Sequence, residues 1–179
     1  MNIIKTPLSG CLILEPKIFG DSRGFFLEAW HEKKYKEAGI EESFVQDNRS
    51  RSAKNVLRGL HFQKTKPQGK LVSVISGTVY DVAVDLRRDS ETLGQYVGVI
   101  LSGEKNNQLY VPPGFAHGFC VLSEYADFHY KCTDFYDPSD EGGIMWDDVN
   151  LDIAWPIENP LLSEKDKKQM TLQEYRDMK

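Results

Sequence analysis

The chain has 179 residues, 40% of them hydrophobic and 27% charged, with 22 basic and 27 acidic side chains giving a net charge of −5. That length fits about one domain and buries roughly 70% of the surface of the unfolded chain, so folding needs neither a disulfide nor a metal staple. The composition argues against a long disordered chain and a general polyanion or nucleic-acid binder, and no run approaches the about 18 apolar residues of a membrane span.

Read in chain order, Leu8-Ser9-Gly10-Cys11 has the shape of a lipoprotein cleavage box. Lys5 and Pro7 break the apolar run such a signal requires, so the match reads as chance. β-Branched and aromatic residues predict strands over Cys11–Glu15, Gly24–Trp30, Val56–Phe62, Lys70–Ser76, Thr78–Leu86, Tyr96–Ser102, Gln108–Val111, His117–Leu122 and Asp127–Tyr136. A short helix is predicted over His31–Ala38 with Gly39 as its C-terminal cap, and Ser76-Gly77 reads as a tight hairpin. The polar segment Ser163–Lys179 predicts one more helix beginning near Ser163. Many short strands with few helices predict a mainly β protein, a sandwich or barrel of the jelly-roll kind. We expect one domain over 1–179, with the jelly-roll core at about 10–155 and a helical tail at about 160–179.

Cys11, Cys120 and Cys132 are odd in number and lack CxxC spacing, which predicts buried reduced thiols and a cytoplasmic protein. From Asn48 to Tyr80 there are seven basic residues and no acid, a local positive field suited to a small anion or, more simply, a solvated face. Strand parity puts Phe128, Tyr130, Cys132, Asp134 and Tyr136 on one face and His129, Lys131, Thr133 and Phe135 on the other. An extended strand separates Tyr130 from Tyr136 by about 20 Å, the length of a nucleotide sugar. Tyr80, Val82, Val84 and Leu86 share a face opposite Asp81 and Asp85, so either acid is a paired structural residue or part of a polar cavity. Strict alternation sets Arg58 and His61 apart, and bringing both to one cavity requires a bulge near Gly59.

The four histidines can be taken singly. His31 opens the predicted helix as a surface residue, and His129 faces away from Tyr130. His61 lies in an apolar strand, where a hydrogen-bonded structural role is commoner than a functional one. His117 follows the turn Pro112-Pro113-Gly114, and Pro-Gly-x-x-His resembles the later motif of the cupin superfamily, in which the histidine often binds a metal. The earlier cupin motif would fall on His61-Phe62-Gln63, with Gln63 in place of the second histidine and no acid before Asp81. Two imidazoles fall short of the usual three protein ligands, so no metal is expected.

Taken together, several ordered segments resemble the dTDP-4-dehydrorhamnose 3,5-epimerase family along essentially the whole chain. They are Phe19 to Glu28, Gln46-Asp47-Asn48, Leu57 to Gln63, Gln68 to Val72, Pro113 to Phe119, Tyr130 to Tyr136 and Leu162 to Asp166. The resemblance implies a cupin-type jelly roll and a homodimer in which one subunit contributes to its neighbour's site. It also implies cofactor-free epimerisation at C3 and C5 of a dTDP-4-keto-6-deoxyhexose, on the way to dTDP-L-rhamnose and cell-surface polysaccharide. By that resemblance His61 is the base, Tyr130 the opposing acid, Asp166 the partner of His61, and Lys70 the oxyanion's stabiliser. Arg23, Glu28, Gln46, Asp47, Asn48, Arg58, His117, Glu141 and Lys165 are implied substrate contacts, and Tyr136 stacks on the thymine. A base of unperturbed pKa about 6.5 facing an acid of about 10 suits proton removal and return beside a ketone. The alternatives are an epimerase acting at one centre only, a metal-dependent cupin enzyme using His61 and His117, or a nucleotide-sugar binding module without catalysis.

Overall fold

A computed structural model describes residues 1–178 of the chain. The strands are β1 (Asn2–Lys5), β2 (Leu12–Glu15), β3 (Ile18–Asp21), β4 (Gly24–Leu27), β5 (Gln46–Ala53), β6 (Leu57–Gln63), β7 (Lys70–Ser76), β8 (Thr78–Asp85), β9 (Tyr96–Ser102), β10 (Gln108–Val111), β11 (Phe115–Val121), β12 (Tyr125–Cys132) and β13 (Glu141–Gly143). The helices are α1 (Glu32–Glu37) and α2 (Leu172–Asp177), with a 3-10 turn at Asp166–Lys168. A six-stranded sheet runs β1-β2-β10-β7-β12-β5 and a five-stranded sheet runs β13-β6-β11-β8-β9, while β3 and β4 form a separate hairpin. This is the mainly β jelly roll that the strand pattern predicts.

Period-two alternation explains the layering. Val72 and Val74 of β7 and Phe128 of β12 point inward to meet Val79, Ala83 and Phe119 of the facing sheet. Phe128 and Phe119 stack with centroids 4.1 Å apart, closing the middle of the core. The alternate residues Leu71, Leu12 and Leu14 face outward under α1, where Tyr35 and Ile40 cover them. Val82 and Val84, on the outer face of β8, are covered by the C-terminal segment through Ile144, Leu151 and Leu172. Each such buried side chain contributes about 1.5–3 kcal/mol, which is why the sheets are apolar on both faces here.

Three sequence expectations change. Ser76-Gly77 is not a hairpin: β7 and β8 lie in different sheets, and the turn carries the chain from one to the other. Gly77 has φ +85°, and a Cβ there would lie 2.1 Å from the Tyr125 carbonyl oxygen. Composition alone cannot separate a reversal within one sheet from a corner between two. The strand predicted to reach Tyr136 ends at Cys132, so the 20 Å spacing of an extended strand does not apply. In the tail, the helix starts at Leu172 rather than near Ser163, held by a capping box of Thr171 and Glu174; Lys179 lies outside the described residues.

Candidate active site

Between the two sheets opens a cavity of about 290 Å³. One wall is His61, Phe62 and Gln63 of β6; the other is Lys70 of β7 and Tyr130 and Cys132 of β12, with Gln46 and Asn48 of β5 beside them. Gln68, Tyr136 and Glu141 complete the lining. Asp134 lies beyond the end of the strand, so the shared face of β12 presents Phe128, Tyr130 and Cys132, as parity requires.

His61 is placed by a break in strand regularity. His117 of β11 pairs with His61 but Phe119 pairs with Arg58, so β6 carries one extra residue between them. That bulge sits at Gly59, with φ +138°, where a Cβ would meet the Gly118 Cα at 2.5 Å. It resolves the parity conflict: Arg58 and His61 border one adjoining cavity of about 400 Å³ with Ser163, Lys165 and Asp166. Arg58 is steadied by a 3.0 Å hydrogen bond from its Nε to the Ser52 hydroxyl.

The partner of His61 comes from far along the chain. The Leu57 N–H donates to the Leu161 carbonyl at 3.1 Å, drawing the C-terminal segment alongside β6. The Asp166 Oδ1 then lies 2.5 Å from His61 Nε2, a contact between residues 105 apart. A carboxylate there accepts, which fixes the ring proton on Nε2 and leaves the Nδ1 lone pair free to take a proton. The Ser163 hydroxyl donates to the other Asp166 oxygen at 2.8 Å. Burial opposes the charge on Asp166, yet the hydrogen bonds from His61 and Ser163 hold its carboxyl below the ordinary value.

On the facing wall, burial raises the Tyr130 phenol above its ordinary value, so it keeps its proton at neutral pH. Burial also lowers the Lys70 ammonium, with Cys132, Asp81 and Glu141 opposing that shift. The Tyr136 hydroxyl donates to Glu141 at 2.6 Å. That bond, with some burial, pushes the Tyr136 phenol up to about 12. Burial works against the charge of Glu141, but its contacts with Lys165 and Tyr136 hold it below the ordinary carboxyl value.

Other residues singled out from the sequence lie elsewhere. Asp47 has the opposite parity to Gln46 and Asn48 and accepts from Lys131 at 2.9 Å on the outer face. His117 is buried on the inner face of β11, stacked on Phe128 of the facing sheet, with Asp81 oxygens 3.0 Å from its Nε2. Asp81 is therefore a paired buried acid, and Asp85 is another, bonded to Arg87, Ser90 and Thr92. Arg23 sits in the β3–β4 hairpin paired with Asp21, and Glu28 pairs with Lys34; neither reaches this cavity. The positive field of the acid-free stretch is divided: Arg49 and Arg51 turn outward to Asp127, leaving Lys70 in the cavity and Arg58 beside it. Among the described residues no cluster of three or more His, Cys, Asp or Glu could hold a metal ion. Phe62, Gln63, Gln68 and Cys132 also line the cavity, beyond the residues the motifs single out; period two from His61 and Lys70 gives the signal for Gln63, Gln68 and, through Tyr130, Cys132.

Comparison with known proteins is consistent along the chain. The profile of the family described as dTDP-4-dehydrorhamnose 3,5-epimerase matches residues 5–174. The chain is similar to the dTDP-4-dehydrorhamnose 3,5-epimerase of Shigella flexneri, at 55% identity over 168 residues and 93% of each chain. The Salmonella typhimurium protein of the same name is 56% identical over 169 residues, covering 93% of this chain and 92% of the relative. Among solved structures, the dTDP-6-deoxy-D-glucose-3,5-epimerase of Legionella pneumophila in complex with dTDP-4-keto-L-rhamnose superposes with a TM-score of 0.94 and 56% identity. That match covers 96% of this chain and 93% of the other.

Proposed function

This chain belongs to the dTDP-4-dehydrorhamnose 3,5-epimerase family, and from that premise we propose how its own residues invert C3 and C5 of a dTDP-4-keto-6-deoxyhexose. The carrying observation is that His61 and Tyr130 stand on facing sheets and line the same cavity. Hydrogens on C3 and C5 are both α to the C4 ketone. The His61 Nδ1 takes one of them, and the imidazolium formed is stabilised by the Asp166 carboxylate at Nε2. The electron pair moves onto the ketone oxygen, giving an enolate whose charge the Lys70 ammonium stabilises. Tyr130 returns a proton to the carbon from the opposite side, which inverts the centre. Two walls carrying an acid and a base are what inversion requires; a single residue on one wall returns the proton to the face it left.

Tyr136, beside this cavity with its ring half exposed, offers a face for the thymine, and Arg58 and Lys165 on the adjoining cavity suit the diphosphate. Gln46, Asn48 and Glu141 are positioned to contact the sugar nucleotide. We further propose that a second copy completes the site. The β3–β4 hairpin exposes Phe19, Phe25 and Phe26 and carries Arg23, whose side chain is 88% exposed. β5, which supplies Gln46 and Asn48, is an open edge of the six-stranded sheet. A partner's hairpin against that edge buries the aromatics and brings Arg23 and Glu28 to the nucleotide. The family match over nearly the whole chain supports one epimerase domain, and three buried free cysteines suit a reducing cytoplasm. No helix among the described residues is long and apolar enough to cross a membrane.

The test is a pair of variants. His61→Ala and Tyr130→Phe each abolish turnover of the 4-keto sugar nucleotide while leaving dTDP affinity close to that of the parent. Parallel loss of turnover and dTDP binding would make both residues structural and remove the acid–base reading.

A further inference from the structure

The segment bearing Tyr136 has little packing of its own. Phe135 is 66% exposed and Tyr136 49% exposed, and the strand has already ended at Cys132. Besides the bond from the Tyr136 hydroxyl to Glu141, what holds the segment is a set of glutamine amides from three strands or their flanks. Gln63, 5% exposed at the end of β6, donates through Nε2 to the Asp137 carbonyl at 3.0 Å. Its Oε1 accepts from the Asp137 N–H at 2.9 Å. Gln68, just before β7, donates to the Asp134 carbonyl at 2.7 Å. Gln46 of β5 accepts from the Tyr136 N–H itself at 3.0 Å.

The chemistry explains the residue type. A primary amide presents a donor and an acceptor on one planar head, so it can pair with both backbone groups of one residue as a neighbouring strand would. An ionised carboxylate at position 63 could only accept, and the donor and acceptor nitrogens of a neutral imidazole point in divergent directions around the ring. Gln63 itself is buried while Asp137 is exposed, so removing the amide takes the only protein partner from the Asp137 N–H, whose carbonyl still accepts from the Asp140 N–H at 3.2 Å, and frees the segment from β6. Gln63 stands where a metal-binding barrel of this type would carry its second histidine, so the position has a different use in this chain.

We propose that Gln63 is a positioning residue for nucleotide recognition, fixing the Asp134–Asp137 segment so that the Tyr136 ring stands at the cavity edge as a preformed wall for the base. This rests on the reading of Tyr136 as the nucleobase's stacking partner. Gln68 assists from the other end of the segment, and neither glutamine enters the proton transfers.

The experiment is calorimetric titration of dTDP into the full-length protein and four variants: Gln63→Met, Gln68→Met, Tyr136→Ala and the double variant Gln63→Met/Tyr136→Ala. Methionine nearly matches the volume of glutamine and removes both bonds. Gln63→Met is expected to weaken dTDP about 10-fold, the equivalent of two modest hydrogen bonds, and to raise KM far more than it lowers kcat. Tyr136→Ala weakens dTDP at least as much, and adding Gln63→Met to it costs nothing further, because the wall being positioned is gone. Should Gln63→Met fail to fold, Gln68→Met carries the same criteria. Unchanged affinity in the glutamine variant, or losses that add in the double variant, overturns the proposal while the Tyr136 reading stands. An unchanged affinity in Tyr136→Ala removes that reading, and the proposal with it.

Discussion

The barrel contains two histidine–aspartate pairs made of the same parts and set side by side. His61 and His117 are register partners on neighbouring strands, and each directs Nε2 at a buried carboxylate. Their surroundings differ. The His61 side chain is 29% exposed and borders both cavities. The His117 side chain is 7% exposed, its aspartate is fully covered, and its ring stacks on Phe128 at 6.0 Å. A carboxylate orients an imidazole in both places, but the His61 ring is the more open of the two and the one that lines the cavities. Exposure rather than pairing distinguishes the two rings, and that is why a strand histidine read locally stays ambiguous.

The comparison can be broken first at His61. Its replacement by alanine should lower kcat/KM by about 10⁴-fold, the upper range for a general base, with a smaller fall in melting temperature than His117→Ala gives, because Asp166 keeps its hydrogen bond from the Ser163 hydroxyl. His117→Ala should do the reverse in stability. It leaves Asp81 buried without its partner, a loss of about 3–5 kcal/mol, which calorimetry should read as a fall of about 6–20 °C for a chain of this size. Equal melting temperatures for the two variants would erase the distinction. Asp166→Asn is next: the amide keeps the volume but cannot stabilise an imidazolium, and a loss of about 10²-fold in kcat, or ~2.7 kcal/mol, is expected with KM little changed.

The smallest effect concerns pH. Tyr136 is held up to about 12 by its bond to Glu141, so its contribution to the folded state is present below the ordinary phenol value of about 10. That contribution fades as pH rises through about 12. Ultraviolet titration of the parent minus Tyr136→Phe should show this phenol ionising near 12, and Glu141→Gln should bring the step back toward about 10. A difference step already near 10 in the parent would show that the Tyr136–Glu141 bond is absent in solution.

Much of the fold was legible because it follows apolar periodicity. β7, β9 and β10 occupy the predicted residues, and α1 falls within His31–Ala38, its end marked by Gly39 at φ +95°. β5 was missed because its inward residues, Gln46 and Asn48, face a polar cavity instead of the core, so no hydrophobic alternation marks it. The end of β12 was misplaced because Asp134, Phe135 and Tyr136 keep a strand-like pattern while their backbone is bonded to glutamine side chains. The bulge at Gly59 was inferable from the conflict between Arg58 and His61. The meeting of His61 with Asp166 was not, since no local rule spans 105 residues; only the family resemblance suggested it.

The central claim is that one base and one facing acid exchange protons at both carbons flanking the ketone. Proton NMR of the 4-keto substrate with the protein in D₂O measures this directly. Deuterium should enter at C3 and at C5, and neither position should exchange with His61→Ala. Exchange at one carbon alone would reduce the activity to a single inversion, and exchange at neither, with dTDP still bound, would contradict the account.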